Sequence, residues 1–173
     1  LPNLTGLWIQ PAAGDAGGAF GAALDVAKFQ EGTATPASKP RGDQISSSLL
    51  GPDYSDQQIA DALTGSDLTF ERPETATELY HLTAEALSQG KIVGHFDDRM
   101  EFGPRALGNR SILADPRPLD TLQRVNQQIK FREDWRPFAP IVLAEHAADL
   151  FEEPTDSPYM LLVSNLKPEF RND

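Results

Sequence analysis

Two short stretches hold most of the residues able to do chemistry. The first is Glu101-Phe102-Gly103-Pro104-Arg105-Ala106-Leu107-Gly108-Asn109-Arg110-Ser111, in which Gly103-Pro104 and Gly108-Asn109 are turn dipeptides. Turns at both places make Arg105 and Arg110 project from a compact loop, with Asn109 and Ser111 adding neutral hydrogen-bonding groups. Backbone amides exposed in such a loop can form an anion nest. Arginine's planar fork binds phosphate oxygens in pairs, so the chemistry that fits is recognition of a small phosphorylated ligand. The competing reading treats Glu101 and the arginines as surface ion pairs, which contribute little. The second stretch is Lys130-Phe131-Arg132-Glu133-Asp134-Trp135-Arg136-Pro137-Phe138. In an extended chain Lys130 and Arg132 share a face at i, i+2, so both cations meet one polyphosphate while Phe131 packs inward. A charged helix end explains the same residues, because cations complement the dipole there. Spacing leaves both readings open.

The surrounding charge favours a local anion site. The chain has 173 residues, with 15 Lys plus Arg against 26 Asp plus Glu and a net charge of -11. Between Lys91 and Arg136 lie 9 of the 15 basic residues against 7 acidic ones, a net of +2, which leaves -13 for the remainder. A cationic island in an acidic chain suits a small anionic ligand. The pI near 4.6 argues against general binding to nucleic acid or to anionic membranes, because the long-range field repels phosphate. Without cysteine there is no disulfide scaffold and no thiolate metal site, which fits a reducing compartment and a cytoplasmic location. No apolar run approaches the roughly 20 residues of a membrane span. His81, His95 and His146 have no metal-ligand spacing. The opening Leu1-Pro2-Asn3-Leu4 and the ending Phe170-Arg171-Asn172-Asp173 suggest a piece of a longer protein.

The elements that must position these residues alternate between strand and helix. Leu7-Trp8-Ile9 reads as a short strand, followed by a glycine-rich turn from Gly14 that passes into an Ala-rich helix. Residues 28–49, rich in Gly, Thr, Ser, Pro and charge, read as a linker. Ser55-Asp56-Gln57-Gln58 and Thr75-Ala76-Thr77-Glu78 are capping boxes that open helices closed by Gly65 and Gly90. Residues 68–71, 91–96, 139–143 and 159–164 read as strands, with a short helix over 145–151. Leu119, Leu122, Val125 and Ile129 place a helix running up to Lys130. The pattern predicts an α/β or α+β domain from about residue 50 onward.

Arg99-Met100-Glu101-Phe102-Gly103-Pro104-Arg105-Ala106-Leu107-Gly108-Asn109-Arg110-Ser111-Ile112-Leu113-Ala114-Asp115-Pro116-Arg117, then Asn126, Lys130-Phe131-Arg132 and Arg136-Pro137-Phe138-Ala139-Pro140, closely resemble the C-terminal domain of the O-carbamoyltransferases of nodulation and antibiotic tailoring. Gln10-Pro11-Ala12-Ala13-Gly14-Asp15-Ala16-Gly17 and Gly21-Ala22-Ala23-Leu24 resemble the end of that family's ASKHA-type, Kae1-like domain. The resemblance implies a YrdC-like twisted sheet with flanking helices over residues 50–173, C-terminally incomplete, preceded by the Kae1-like tail at 1–27 and the linker at 28–49. It implies ATP and carbamoyl phosphate as substrates, with Mg2+ accompanying the ATP. Carbamoyl adenylate would form in the YrdC-like part, and the carbamoyl group would then pass to a hydroxyl acceptor. Arg105, Lys130 and Arg136 are thereby implied at the phosphates, supported by Arg132, Arg110, Asn109, Ser111 and Asn126. Asp15 matches an aspartate that joins two upstream histidines around a metal, usually Fe2+, in the full-length Kae1-like domain.

The sequence departs from the family pattern at Asp97-Asp98, which adds negative charge beside the proposed anion site, and at His95, where another aromatic is commoner. Two other functional classes compete with the enzyme: a YrdC-like nucleotide- or RNA-binding module without transferase chemistry, and an interaction domain with surface arginines. Strong salt dependence with RNA would mark the module, and saturable ATP binding competed by carbamoyl phosphate would mark the enzyme.

Overall fold

A computed structural model describes residues 9–30, 47–152 and 157–171. Capping explains where its early helices begin. Helix α1 spans Asp15–Gln30, with Asp15 in its first turn. Helix α2, Asp56–Thr64, starts at Ser55, whose hydroxyl accepts from the Gln58 N–H while the Gln58 side chain accepts from the Ser55 N–H. Helix α3, Ala76–Ser88, starts at Thr75, which accepts from Glu78 N–H; the Glu78 carboxylate reaches one residue further back, to the Glu74 N–H. Gly90 follows with φ +75°, the left-handed conformation that turns the chain out of a helix.

Strand β1, Val93–Phe96, pairs antiparallel with strand β2, Arg110–Leu113, in the register Val93 with Leu113 and Phe96 with Arg110. This two-stranded ribbon is the sheet among the described residues. The wider twisted sheet expected from the sequence is not formed there: residues 68–71, 139–143 and 159–164 lie outside any strand ladder. Their apolar residues stay in the open, with Leu68 68%, Ile141 77% and Val163 98% exposed. A strand exists only through a partner's hydrogen bonds, and an apolar run does not encode its partner. The expected strand at Leu7-Trp8-Ile9 falls largely outside the described residues, as does most of the segment read as a linker.

After β2 the chain forms helix α4, Thr121–Arg124, which continues directly as a π-helical segment, Val125–Lys130. Val125 is buried there, whereas Leu119, expected on the same inward face, is 99% exposed ahead of the helix. The Arg124 guanidinium donates to the Gly90 carbonyl at 2.9 Å, tying α4 to the corner between α3 and β1. Helix α5, Ala144–Leu150, is tied to the later chain by Lys167, which donates to Ala148 O and Leu150 O, and just beyond it lie a Phe151–Leu166 bridge and an Arg171–Glu152 ion pair of 2.6 Å. Among the described residues no helix is long and apolar enough to cross a membrane.

The most protected positions are mainly polar. Ser48, Glu101 and Asn126 are buried alongside the apolar Ala12 and Val125. Ser48 belongs to a segment that runs beside the first cationic stretch: its carbonyl accepts from Phe102 N–H, and Gly51 N–H donates to Met100 O at 2.9 Å. Phe102 in turn meets Phe20 of α1 with ring centroids 5.9 Å apart, so α1 seats on this loop.

Candidate anion-recognition site

The first stretch folds as a loop drawn around one carboxylate. Gly103 and Gly108 sit at φ +116° and +121°, which places the two turns where the dipeptides predicted them. Between and beyond these turns, the backbone N–H groups of Leu107, Asn109 and Arg110 all donate to Glu101 Oε1, at 2.8, 2.8 and 3.2 Å. Burial by itself pushes the Glu101 carboxyl up. The backbone N–H bonds from Leu107, Glu101 itself, Asn109 and Arg110 together outweigh that and hold it below the ordinary glutamate range.

This geometry corrects two expectations. The loop amides are not an open anion nest, because three of them already converge on an internal carboxylate. Glu101 forms no ion pair with the neighbouring arginines; a buried carboxylate finds its compensation in backbone donors instead.

Arg110 leaves the loop at the start of β2. Its guanidinium donates to the carbonyls of Asp97, Asp98 and Asn109 and lies 3.5 Å from the centroid of the Phe96 ring. At the Asp97-Asp98 departure Arg110 bonds the backbone carbonyls rather than the carboxylates, and Asp98 takes a left-handed φ of 42° there. Asn109 donates to Arg99 O at 3.0 Å, and the Ser111 hydroxyl accepts from Gly108 N–H at 3.0 Å. Beyond β2 the Arg117 side chain bonds both oxygens of Asp115, holding that carboxyl below its usual range.

The second stretch is organised on an amide. Asn126 is 0% exposed. Its Nδ2 donates to Asp134 O and Arg136 O at 3.2 and 3.0 Å, and its Oδ1 accepts from Arg132 Nε at 2.7 Å. Its backbone carbonyl accepts from the N–H groups of Phe131 and Arg132. Phe131 adopts a left-handed conformation, φ 49° and ψ 50°, which reverses the chain. The extended arrangement of Lys130 and Arg132 is therefore not adopted. Lys130 ends the π-helical segment, as the helix-end reading anticipated, while Arg132 folds back onto Asn126 with its guanidinium 4.8 Å from the Phe138 ring centroid. Phe131, expected to pack inward, is 84% exposed. Asn126 is buried with its side-chain donor and acceptor both engaged, so it builds the loop from beneath.

Of the nine basic residues between positions 91 and 136, the described structure engages six through their side chains and leaves Lys91, Arg105 and Lys130 exposed without a polar partner. Arg136 pairs with Glu133 at 2.9 Å, an exposed contact that an incoming anion can exchange. No hydrogen bond, ion pair or ring contact joins the loop at 99–111 to the loop at 126–138 among the described residues; β2 and α4 lie between them in the chain. Sequence reasoning missed Glu101 as an organiser. It also missed Phe96 and Phe138 as platforms for Arg110 and Arg132. Their signal was the presence of an acid among turn residues and of aromatics near arginines, which spacing does not distinguish from surface pairing.

Asp15 sits exposed in the first turn of α1, and no group of three or more His, Asp or Glu able to hold a metal occurs among the described residues. The described residues do not by themselves make an iron site.

The two loops present exposed cations on turns organised around buried polar side chains. Residues 84–173 match the family model described as Carbamoyltransferase C-terminus, and the chain belongs to that family. It is 46% identical over 166 residues to the Synechocystis protein sll1178, across 95% of this chain and 27% of that protein. It is 40% identical over 172 residues to nodulation protein NolNO of Sinorhizobium fredii, across 96% and 24%. With the 3'-hydroxymethylcephem-O-carbamoyltransferase of Amycolatopsis lactamdurans it shares 34% identity over 167 residues, across 96% and 29%. The chain spans about a quarter of the length of these curated relatives.

Proposed function

We propose that the chain is the C-terminal part of an ATP-dependent O-carbamoyltransferase. In this reading residues 50–173 form a YrdC-like unit in which water cleaves carbamoyl phosphate to carbamate and phosphate, and a carbamate oxygen attacks the α-phosphorus of ATP, giving carbamoyl adenylate and releasing pyrophosphate. Residues 1–27 end the Kae1-like domain, in which the carbamoyl group passes to a hydroxyl of a sugar or other small acceptor. The absence of cysteine fits a reducing, cytoplasmic setting.

The observation that carries the reading is the pair of exposed cations without a polar partner, Arg105 and Lys130, on loops built around buried Glu101 and Asn126 in a chain of the carbamoyltransferase family. Adenylyl transfer depends mainly on positioning and on stabilising charge, so cations on a fixed frame can carry it with little other side-chain chemistry. Arg105 and Lys130 hold phosphate oxygens of carbamoyl phosphate and ATP, and Arg136 joins them by exchanging Glu133 for the ligand. Arg110 and Arg132 keep guanidinium N–H groups beyond their framework bonds and support the same anions. Asn109 and Ser111 contribute at the loop edge. Mg2+ accompanies the ATP phosphates.

ATP–pyrophosphate exchange by the intact parent polypeptide tests this directly. Lys130→Ala should lower carbamoyl phosphate-dependent exchange at least about tenfold, the scale of one lost charge-assisted hydrogen bond. Unaltered exchange overturns the assignment.

A further inference from the structure

We propose that Glu101 is a positioning residue for Arg105: its buried carboxylate fixes the arginine loop by gathering three backbone N–H groups onto one oxygen. The inference rests on the reading of Arg105 as an anion ligand and adds a residue that no ligand-contact argument would select.

Three observations converge. Glu101 is 6% exposed and precedes Arg105 by four residues, while its Oε1 bonds the N–H groups of Leu107, Asn109 and Arg110 just after it. Arg105 thus sits at the outer part of a loop whose two limbs are pinned to each other through a single side chain. Arg105 itself has no polar partner among the described residues, so nothing but its backbone frame sets where its guanidinium starts. Other contacts close the loop at its base, among them Asn109 to Arg99 O, Gly108 N–H to Ser111, Phe102 N–H to Ser48 O and Gly51 N–H to Met100 O. Removing the carboxylate therefore frees the part that carries Arg105 and leaves the base closed.

The carboxylate has a second consequence. Amides that converge on an oxygen are the usual backbone device for seizing phosphate. Here the amides of Leu107, Asn109 and Arg110 are already taken, so these three are not offered to an external anion. The long Arg105 side chain loses rotamer freedom when it takes a ligand, and ordering the loop beneath it lowers that cost.

Only one of the two carboxylate oxygens makes these three bonds, so a glutamine whose amide oxygen takes that place retains all three acceptor contacts without the charge. This separates geometry from electrostatics. The intact parent polypeptide is compared as wild type, Glu101→Ala, Glu101→Gln, Arg105→Ala and the Glu101→Ala/Arg105→Ala double variant. Two readouts are taken, amide hydrogen exchange over residues 102–111 and the kinetics of ATP–pyrophosphate exchange. Glu101→Ala should lose protection at 107, 109 and 110 and raise KM for carbamoyl phosphate about tenfold or more, with a smaller change in kcat. Glu101→Gln should restore protection and stay within about threefold of wild type. The double variant should be no worse than Arg105→Ala alone, because Glu101 acts through that side chain. Wild-type protection in Glu101→Ala, or additive losses in the double variant, overturns the proposal. If Glu101→Ala does not fold, Glu101→Asp takes its place: shortening the side chain draws the oxygen away from the amides and should give the same pattern at lower amplitude, and an unchanged loop is again decisive against. If wild type shows no pyrophosphate exchange at all, the adenylation reading fails while the protection data still decide whether Glu101 pins the loop.

Discussion

The loops at 99–111 and 126–138 solve one problem with different chemistry. Each must hold cations outward on a short irregular segment, and each does so around a single buried polar side chain rather than an apolar plug. In the first, a carboxylate collects three N–H donors; in the second, a neutral amide donates twice and accepts once through its side chain. A carboxylate only accepts, so it suits a loop whose N–H groups turn inward. An amide does both, so it can bind the carbonyls of Asp134 and Arg136 and an arginine at once. The choice of residue follows from which backbone groups each turn leaves facing in. It also gives the two loops different sensitivities.

The largest expected effect falls on the amide. Asn126→Ala strands two carbonyls and the Arg132 Nε–H at a site with no exposure, and should destabilise the intact protein by about 3 to 4 kcal/mol, read as a shift in denaturant midpoint. A shift below about 1 kcal/mol would show that water replaces the hub and that the comparison has been drawn too sharply. Glu101→Ala should cost less, about 2 to 3 kcal/mol, since its 6% exposure lets solvent reach some of the freed amides.

Acid distinguishes the loops next. The folded Glu101 carboxyl lies below its ordinary value, so its stabilisation is complete above the unfolded value of about 4.3 and is lost as pH falls through the folded one. Hydrogen exchange at 102–111 should accelerate in that acid window. Residues bonded to Asn126 should hold their protection, apart from the exposed Arg136–Glu133 pair and the Gln127–Asp134 bond, which carry carboxylates of their own. Equal acid response in both loops, or the same response in Glu101→Gln, would collapse the distinction. The smallest effect belongs to Ser111→Ala, which removes one acceptor from Gly108 N–H at a half-buried position and should cost about 0.5 to 1 kcal/mol.

What could be read from the sequence was mostly local. Ser55 with Gln58 and Thr75 with Glu78 announced two helix starts, because a cap and its donor lie within one turn of chain. Residues 93–96 formed their strand where expected, and the dipeptides at 103–104 and 108–109 marked real turns. The apolar runs at 68–71, 139–143 and 159–164 read as strands but have no ladder among the described residues, since pairing is decided by distant chain. The helix leading to Lys130 was visible from Val125 and Ile129, yet its change to π-helical winding was not, because so short an apolar pattern fits either. The cations of the site were legible one by one. Which of them stay free was not, because Arg110 and Arg132 are claimed by carbonyls, an amide and aromatic rings brought in by the fold.

The π-helical winding of Val125–Lys130 makes this segment a counting device. A π turn is an α turn with one residue more, so each residue here advances the chain by less than the α value of about 100°. Losing any one residue between Asn126 and Lys130 would let the segment relax to ordinary α winding and leave Lys130 near its present side. A second loss would find no such slack and would turn the ammonium of Lys130 by about 100°. Substitutions across the exposed Gln127 and Gln128 leave that count intact. In this part of the protein the winding stores one spare residue of length.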